Sequence, residues 1–124
     1  MFTALQVALG GAIGATLRWG LGVWLFRLTG PGFPVAVMTA NVLGSFLMGM
    51  FVVFAAKKGM THLSPFVMTG LLGGFTTFSA FSLEAVTLWE RGAAGQMAIY
   101  VSASIVFSIA GLLLGLFVAR GIWV

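Results

Sequence analysis

The sequence predicts an all-α integral membrane protein, a single domain over residues 1–124 with four transmembrane helices, the third broken mid-membrane, that works as a dimer. Three observations carry this. The chain is 60% hydrophobic and 6% charged, with a mean hydropathy of +1.15, far from the makeup of a water-soluble domain. Its uncharged stretches, Met1 to Leu17, Leu28 to Ala56, Gly59 to Leu83 and Gly92 to Ala119, include three that reach the roughly 20 residues a spanning helix needs. The third stretch packs glycines and hydroxyls into its middle, where a lipid-facing helix has no use for them.

The first helix is expected at 3–26. It carries Gly10, Gly11 and Gly14 and lacks the charged start and cleavage site of a signal peptide, so it reads as a permanent span. The second is expected at 34–56, after the turn Thr29-Gly30-Pro31-Gly32. The third falls at 64–89, after Lys57-Lys58-Gly59, and the fourth at 95–119, after Arg91-Gly92. Small residues recur four apart at Gly10/Gly14, Ser45/Gly49, Gly70/Gly74 and Gly111/Gly115, a spacing that lets helix backbones approach closely. Four helices alone can hardly enclose a polar path while satisfying every backbone group, so a dimer with its conduit at or near the interface is the economical arrangement.

In the third helix, Gly70-Leu71-Leu72-Gly73-Gly74-Phe75-Thr76-Thr77-Phe78-Ser79-Ala80-Phe81-Ser82 reads as a break at Gly-Gly followed by Thr-Thr. Non-helical backbone at that depth survives only buried in protein or along a cavity. Carbonyls freed there suit a small hard cation. An unbroken helix whose glycines only allow close packing is the plainer alternative. Phe75, Phe78 and Phe81 recur every three residues, which sets them along one side of the segment. Core packing is their ordinary use, but ring edges carry the positive end of the aromatic quadrupole and can solvate an anion.

Elsewhere the polar groups are few. Arg18 lies on the small-residue stripe Gly10, Gly14, Arg18, Gly22, either buried with partners or snorkelling to headgroups. Asn41 sits inside the second apolar run and must hydrogen-bond a neighbouring helix or a passing ion. Tyr100, Ser104 and Ser108 stand four residues apart, forming either a ladder of donors or serines bonded back to their own helix. Glu84 is the one acid within a span and close to its end.

Composition excludes several function classes. Absence of cysteine removes disulfides, thiolate metal sites and thiol nucleophiles, and the single His62 sits in a polar turn beside Lys57 and Lys58. A net charge of +4 comes from six basic residues spread along the chain, which make no nucleic-acid stripe and suit anionic lipid headgroups instead. No paired carboxylates, activated nucleophile or phosphate loop points to an enzyme. With four spans, Lys57, Lys58 and Arg120 share one side and Arg27 and Arg91 the other. That near tie leaves orientation undecided, so dual topology is expected.

Thr39-Ala40-Asn41-Val42-Leu43-Gly44, the string Gly73-Gly74-Phe75-Thr76-Thr77-Phe78-Ser79-Ala80-Phe81-Ser82, the Gly14 to Trp19 stretch and the Glu90 to Gly92 turn together resemble the Fluc/CrcB family of fluoride channels, over the whole chain. The resemblance implies an antiparallel, dual-topology homodimer in the cytoplasmic (inner) membrane of a prokaryote, passing fluoride passively and so protecting against its toxicity. It also implies a structural sodium ion at the dimer centre, held by backbone carbonyls of Gly73 and Thr76 from both subunits. Phe78 and Phe81 map onto the pore phenylalanines. Asn41, Ser79, Tyr100, Ser104 and Ser108 would line the anion path, and Arg18 would make its entrance electropositive. Two positions depart from the family pattern: Phe75 replaces an aliphatic residue, and Ala80 stands where many relatives carry threonine. The rival reading is a small dual-topology multidrug or cation antiporter. Such proteins want an acid in the first helix, where this chain has Arg18.

Overall fold

The computed structural model describes residues 2–30 and 34–123. Helix α1 spans Phe2–Thr29 and α2 spans Val35–Lys58. The third apolar run opens with a 3₁₀ turn, Thr61–Leu63, and continues as α3, a π-helix over Pro65–Leu72 extended by one α-turn at Gly73–Phe75. Helix α4 is Phe78–Glu90 and α5 is Ala94–Ile122. Pro31 and Gly32 of the first expected turn lie outside the described residues.

The helices outlast their expected ends for one reason. Arg27, Lys57, Lys58 and Arg120 sit in the last turns of α1, α2 and α5, where a cation is favourable beside the negative end of the helix dipole. Charge ends the apolar stretch there without ending the helix. The turns themselves rest on glycine: Gly59 closes α2 in the left-handed region, φ 67°, with its N–H on the Ala55 carbonyl, a conformation that side chains resist.

What the helices hide from their surroundings is small. Gly10, Gly14, Ala40, Gly44, Gly49, Ala55, Gly70, Gly115 and Ala119 are buried, while Phe78, Leu113 and Phe117 point outward, Phe117 with 76% of its surface exposed. A protein folded by water would invert that distribution. Trp24 and Trp89, near the C-terminal ends of α1 and α4, are also exposed, as interfacial aromatics are. Three segments, Val35–Lys58, Thr61–Glu90 and Ala94–Ile122, are long and apolar enough to cross a membrane. The chain is thus a multi-pass helical membrane protein. Helix α1 is as long as these, about 42 Å at 1.5 Å per residue, with its apolar surface diluted by Gln6 and Arg18.

Two backbone-to-backbone contacts organise the bundle. At the first, α1 lies on α3. A Cβ on Gly10 would come within 2.7 Å of the Leu71 nitrogen, one on Gly14 within 2.9 Å of the Phe75 nitrogen, and one on Gly74 within 2.8 Å of the Gly11 carbonyl. At the second, α2 lies on α5, where side chains on Gly49 or Gly115 would strike the Leu112 or Phe46 carbonyl. The Gly-Gly pair therefore serves packing: Gly73 is helical, φ −63° and ψ −36°, and Gly74 lies within the α-turn that follows. Helical geometry is left two residues later, at Thr76 (φ −85°, ψ 156°) and Thr77 (φ −155°, ψ 123°), both extended.

Gly14→Val should lower the thermal unfolding midpoint in detergent by the equivalent of about 1–3 kcal/mol, the usual cost of overpacking. Gly22→Ala, on the same stripe but with nothing within 4 Å of its Cβ, should leave the midpoint in place.

Candidate functional site

Two extended residues between helices leave backbone groups that the helices no longer satisfy. In a continuous helix the Thr77 N–H would bond the Gly73 carbonyl. Here it donates to Asn41 Oδ1 at 2.7 Å, and Asn41 Nδ2 donates to the Thr77 carbonyl at 3.1 Å. A side-chain amide carries the same donor and acceptor as a peptide, so one residue on α2 serves both groups. Gly44, one turn further along α2, gives room for the Thr76 methyl. The Thr77 hydroxyl then caps α4, accepting from the Ala80 N–H at 3.2 Å, and lies 3.2 Å from Ser79 Oγ.

Arg18 closes the other end of the interruption. Its Nε donates to the Gly74 carbonyl at 3.2 Å, near the C-terminal, negative end of α3. The side chain is half-buried, which decides between the two readings of Arg18: it crosses to a neighbouring helix rather than reaching for headgroups.

Beside the interruption lies a cleft of ≈ 380 Å³, lined by Asn41, Thr76, Phe78, Phe81, Ser104 and Ser108 among others. Phe81 is buried between Phe78 and Tyr100, with ring centroids 5.4 Å and 5.3 Å away. Phe78 is 78% exposed. Phe75 does not join them: the extended Thr76 and Thr77 break the three-residue period, and Phe75 is buried, its ring edge 3.3 Å from where a Gly44 Cβ would stand. The aliphatic-to-Phe departure at this position is thus a matter of packing.

The ladder on α5 is real as geometry, and its members differ. Tyr100 is fully buried against Phe81 and is not part of the cleft wall, whereas Ser104 and Ser108 are. Hydroxyls of Thr16, Thr29, Thr76, Ser82 and Thr87 bond back to the carbonyl four residues earlier. Ser104 does not: it is 4% exposed, and its Oγ has no hydrogen-bond partner among the described residues. A buried hydroxyl left so costs about 1–3 kcal/mol, which makes the cleft short of an acceptor. Ser79 and Gly73 are exposed and lie outside the cleft wall, as does Arg18. Among the described residues no cluster of His, Asp or Glu could hold a metal; carbonyl oxygens are the available ligands. Thr77 was legible in the sequence only as one hydroxyl among four, although a threonine just ahead of a helix is an N-cap signal.

A membrane helix bundle with a donor-lined cleft at an interrupted helix defines the class of ion channels and transporters. The family described as CrcB-like protein, Camphor Resistance (CrcB), matches residues 5–116, and the chain belongs to it. Relatives named fluoride-specific ion channel FluC include those of Ruegeria sp. (strain TM1040), 66% identical over 123 residues and 98% of both chains, and Roseobacter denitrificans, 63% identical over 125 residues and 99% of both. The relative of that name from Agrobacterium fabrum is 47% identical, covering 99% of this chain and 100% of its own.

Thr77→Ala should lower the unfolding midpoint by the equivalent of about 1 kcal/mol through loss of the α4 cap. Ser104→Ala, which removes an unpartnered hydroxyl, should not lower it. Thermal unfolding of both variants in one detergent checks the pair.

Proposed function

We infer that the protein is a fluoride-selective channel that lets fluoride leave the cell passively through the cytoplasmic membrane of a bacterium, relieving fluoride toxicity. The observation that carries this is the cleft in which a buried, unpartnered Ser104 hydroxyl, the Asn41 amide, Ser108 and the rings of Phe78 and Phe81 meet. The relatives' printed name supplies the ion. Fluoride is small and strongly hydrated, and a narrow path must replace its water with donors and positive ring edges. No acid lines the cleft, and Arg18 is bonded to α3, so a proton-coupled cation antiporter finds no carboxylate here.

Helix α1 is read as the fourth span, which places the Thr76-Thr77 interruption at mid-membrane depth. One chain leaves Phe78 uncovered and the cleft open. A second copy, inserted upside down as the charge tie allows, would close it and bring Ser79 and Gly73 to an interface, with membrane lipid around the remainder. A structural sodium ion fits the groups at that interface. Thr77 gives its N–H to Asn41 and so releases the Gly73 carbonyl, and the extended Thr76 turns its own carbonyl out of the helix. Gly73 and Thr76 of both chains would hold the ion, which supplies positive charge to four carbonyl dipoles. Arg18, near the same interruption, adds positive potential that draws anions.

Proteoliposomes loaded with fluoride should empty it without an accompanying proton and release chloride far more slowly; equal rates for the two anions overturn the assignment. Phe78→Ile should cut fluoride flux with little change in unfolding midpoint, because the ring is exposed in the single chain, whereas Phe81→Ile should lower both. Adding two or three lysines to the Lys57-Lys58 turn should abolish activity by forcing one orientation. Co-expression with an oppositely biased variant should restore it, and full activity from one biased variant alone would refute the antiparallel pairing.

A further inference from the structure

We propose that Asn41 is a positioning residue: its amide holds Thr77 extended against the helix that the backbone would otherwise close, and so keeps the Gly73 carbonyl available. Both bonds between Asn41 and Thr77 are made with the amide in one orientation, Oδ1 facing the Thr77 N–H and Nδ2 the Thr77 carbonyl. Exchanging the two ends would set donor against donor and acceptor against acceptor. An amide pinned this way cannot turn to follow a passing ion, and it offers the cleft only the second Nδ2 hydrogen.

What Asn41 competes with is local. The nearest other acceptor for the Thr77 N–H is the Gly73 carbonyl, the partner it would have in an unbroken helix. Nothing in Thr76 or Thr77 forbids helical geometry: neither is proline, and both hold φ values open to any residue. In an apolar surrounding the two Thr77 backbone groups cannot go unpaired. They have two ways to pair, with Asn41 or along the helix, and the side chain on α2 selects the first. Loss of Asn41 therefore does more than remove a donor: α3 and α4 fuse, and the Gly73 carbonyl is consumed by the fusion. One residue thus serves both the anion cleft and the carbonyl cluster.

This inference rests on the channel and sodium readings only for its secondary measurements. The primary one is the backbone carbon-13 shifts of Thr77 in threonine-labelled protein in lipid bilayers, for the wild type, Asn41→Ala, Asn41→Asp and Ser108→Ala. The wild type and Ser108→Ala should give extended-strand values at Thr77, and Asn41→Ala helical ones. Asn41→Asp keeps an acceptor for the Thr77 N–H, so it should stay extended while fluoride flux falls by about tenfold or more for the lost donors. It also carries the test should the alanine variant not fold. Extended values in Asn41→Ala, or helical values in Asn41→Asp, overturn the proposal. As a second readout, a rise in the wild-type unfolding midpoint when sodium chloride replaces choline chloride should vanish in Asn41→Ala and persist in Ser108→Ala. A wild-type midpoint indifferent to sodium sinks the sodium reading and leaves the Thr77 shifts to decide this one.

Discussion

Everything at this site depends on where the hydrogen bonds of Thr77 go. A chain in lipid has no water to complete its backbone, so each group that leaves a helix must find a partner in the protein, at a cost of several kcal/mol if it fails. The Asn41 amide takes both groups of Thr77, Arg18 takes the Gly74 carbonyl, and the Thr77 hydroxyl takes the Ala80 N–H. Three side chains, from α1, α2 and the interruption itself, make two extended residues tolerable. They also fix where α4 begins, and the start of α4 places Phe78 and Phe81.

Those side chains reach their targets only because the helices stand close. Arg18 spans from α1 to Gly74 because Gly10, Gly14, Gly70 and Gly74 leave no side chains between α1 and α3. Asn41 meets Thr77 because Gly44 admits the Thr76 methyl, while Gly49 and Gly115 bring α2 against α5. In lipid this packing is driven by van der Waals contact rather than by exclusion of water, so the glycines are part of the site although none need touch an ion.

The helices, their order and the close-packing pairs were legible in the sequence because each rests on a local signal: an uncharged run, or small residues four apart. The site was legible in part. Asn41 was singled out since an amide in an apolar run demands a partner, yet which partner could not be read, because Asn41 and Thr77 lie 36 residues apart and only the packing of α2 brings them together. The position of the interruption was misread toward Gly73-Gly74, since glycine permits both a break and a close approach, and a single sequence does not say which. The π-helical turns over Pro65–Leu72 left no mark in composition. Phe75 was grouped with Phe78 and Phe81 by a period that holds only if the helix is continuous.

The cleft's chemistry favours an anion for reasons that do not depend on any one residue. Its polar groups are an amide whose carbonyl end is already engaged by Thr77 and serine hydroxyls, one of them buried with no acceptor in reach. What remains free points hydrogen, not oxygen, into the space. The rings that complete the wall can present edges, which carry partial positive charge. The carbonyls released by the interruption belong to Gly73 and Thr76, and Gly73 is exposed outside the cleft wall. Interrupting one helix thus sorts its own polarity: N–H and O–H groups turn toward the cleft at the start of α4, and the spare carbonyl of Gly73 faces away from it at the end of α3. A break that exposed both kinds of group to the same space would bind water or a salt pair. Separated by the Asn41 clamp, the two ends can serve ions of opposite sign a few residues apart.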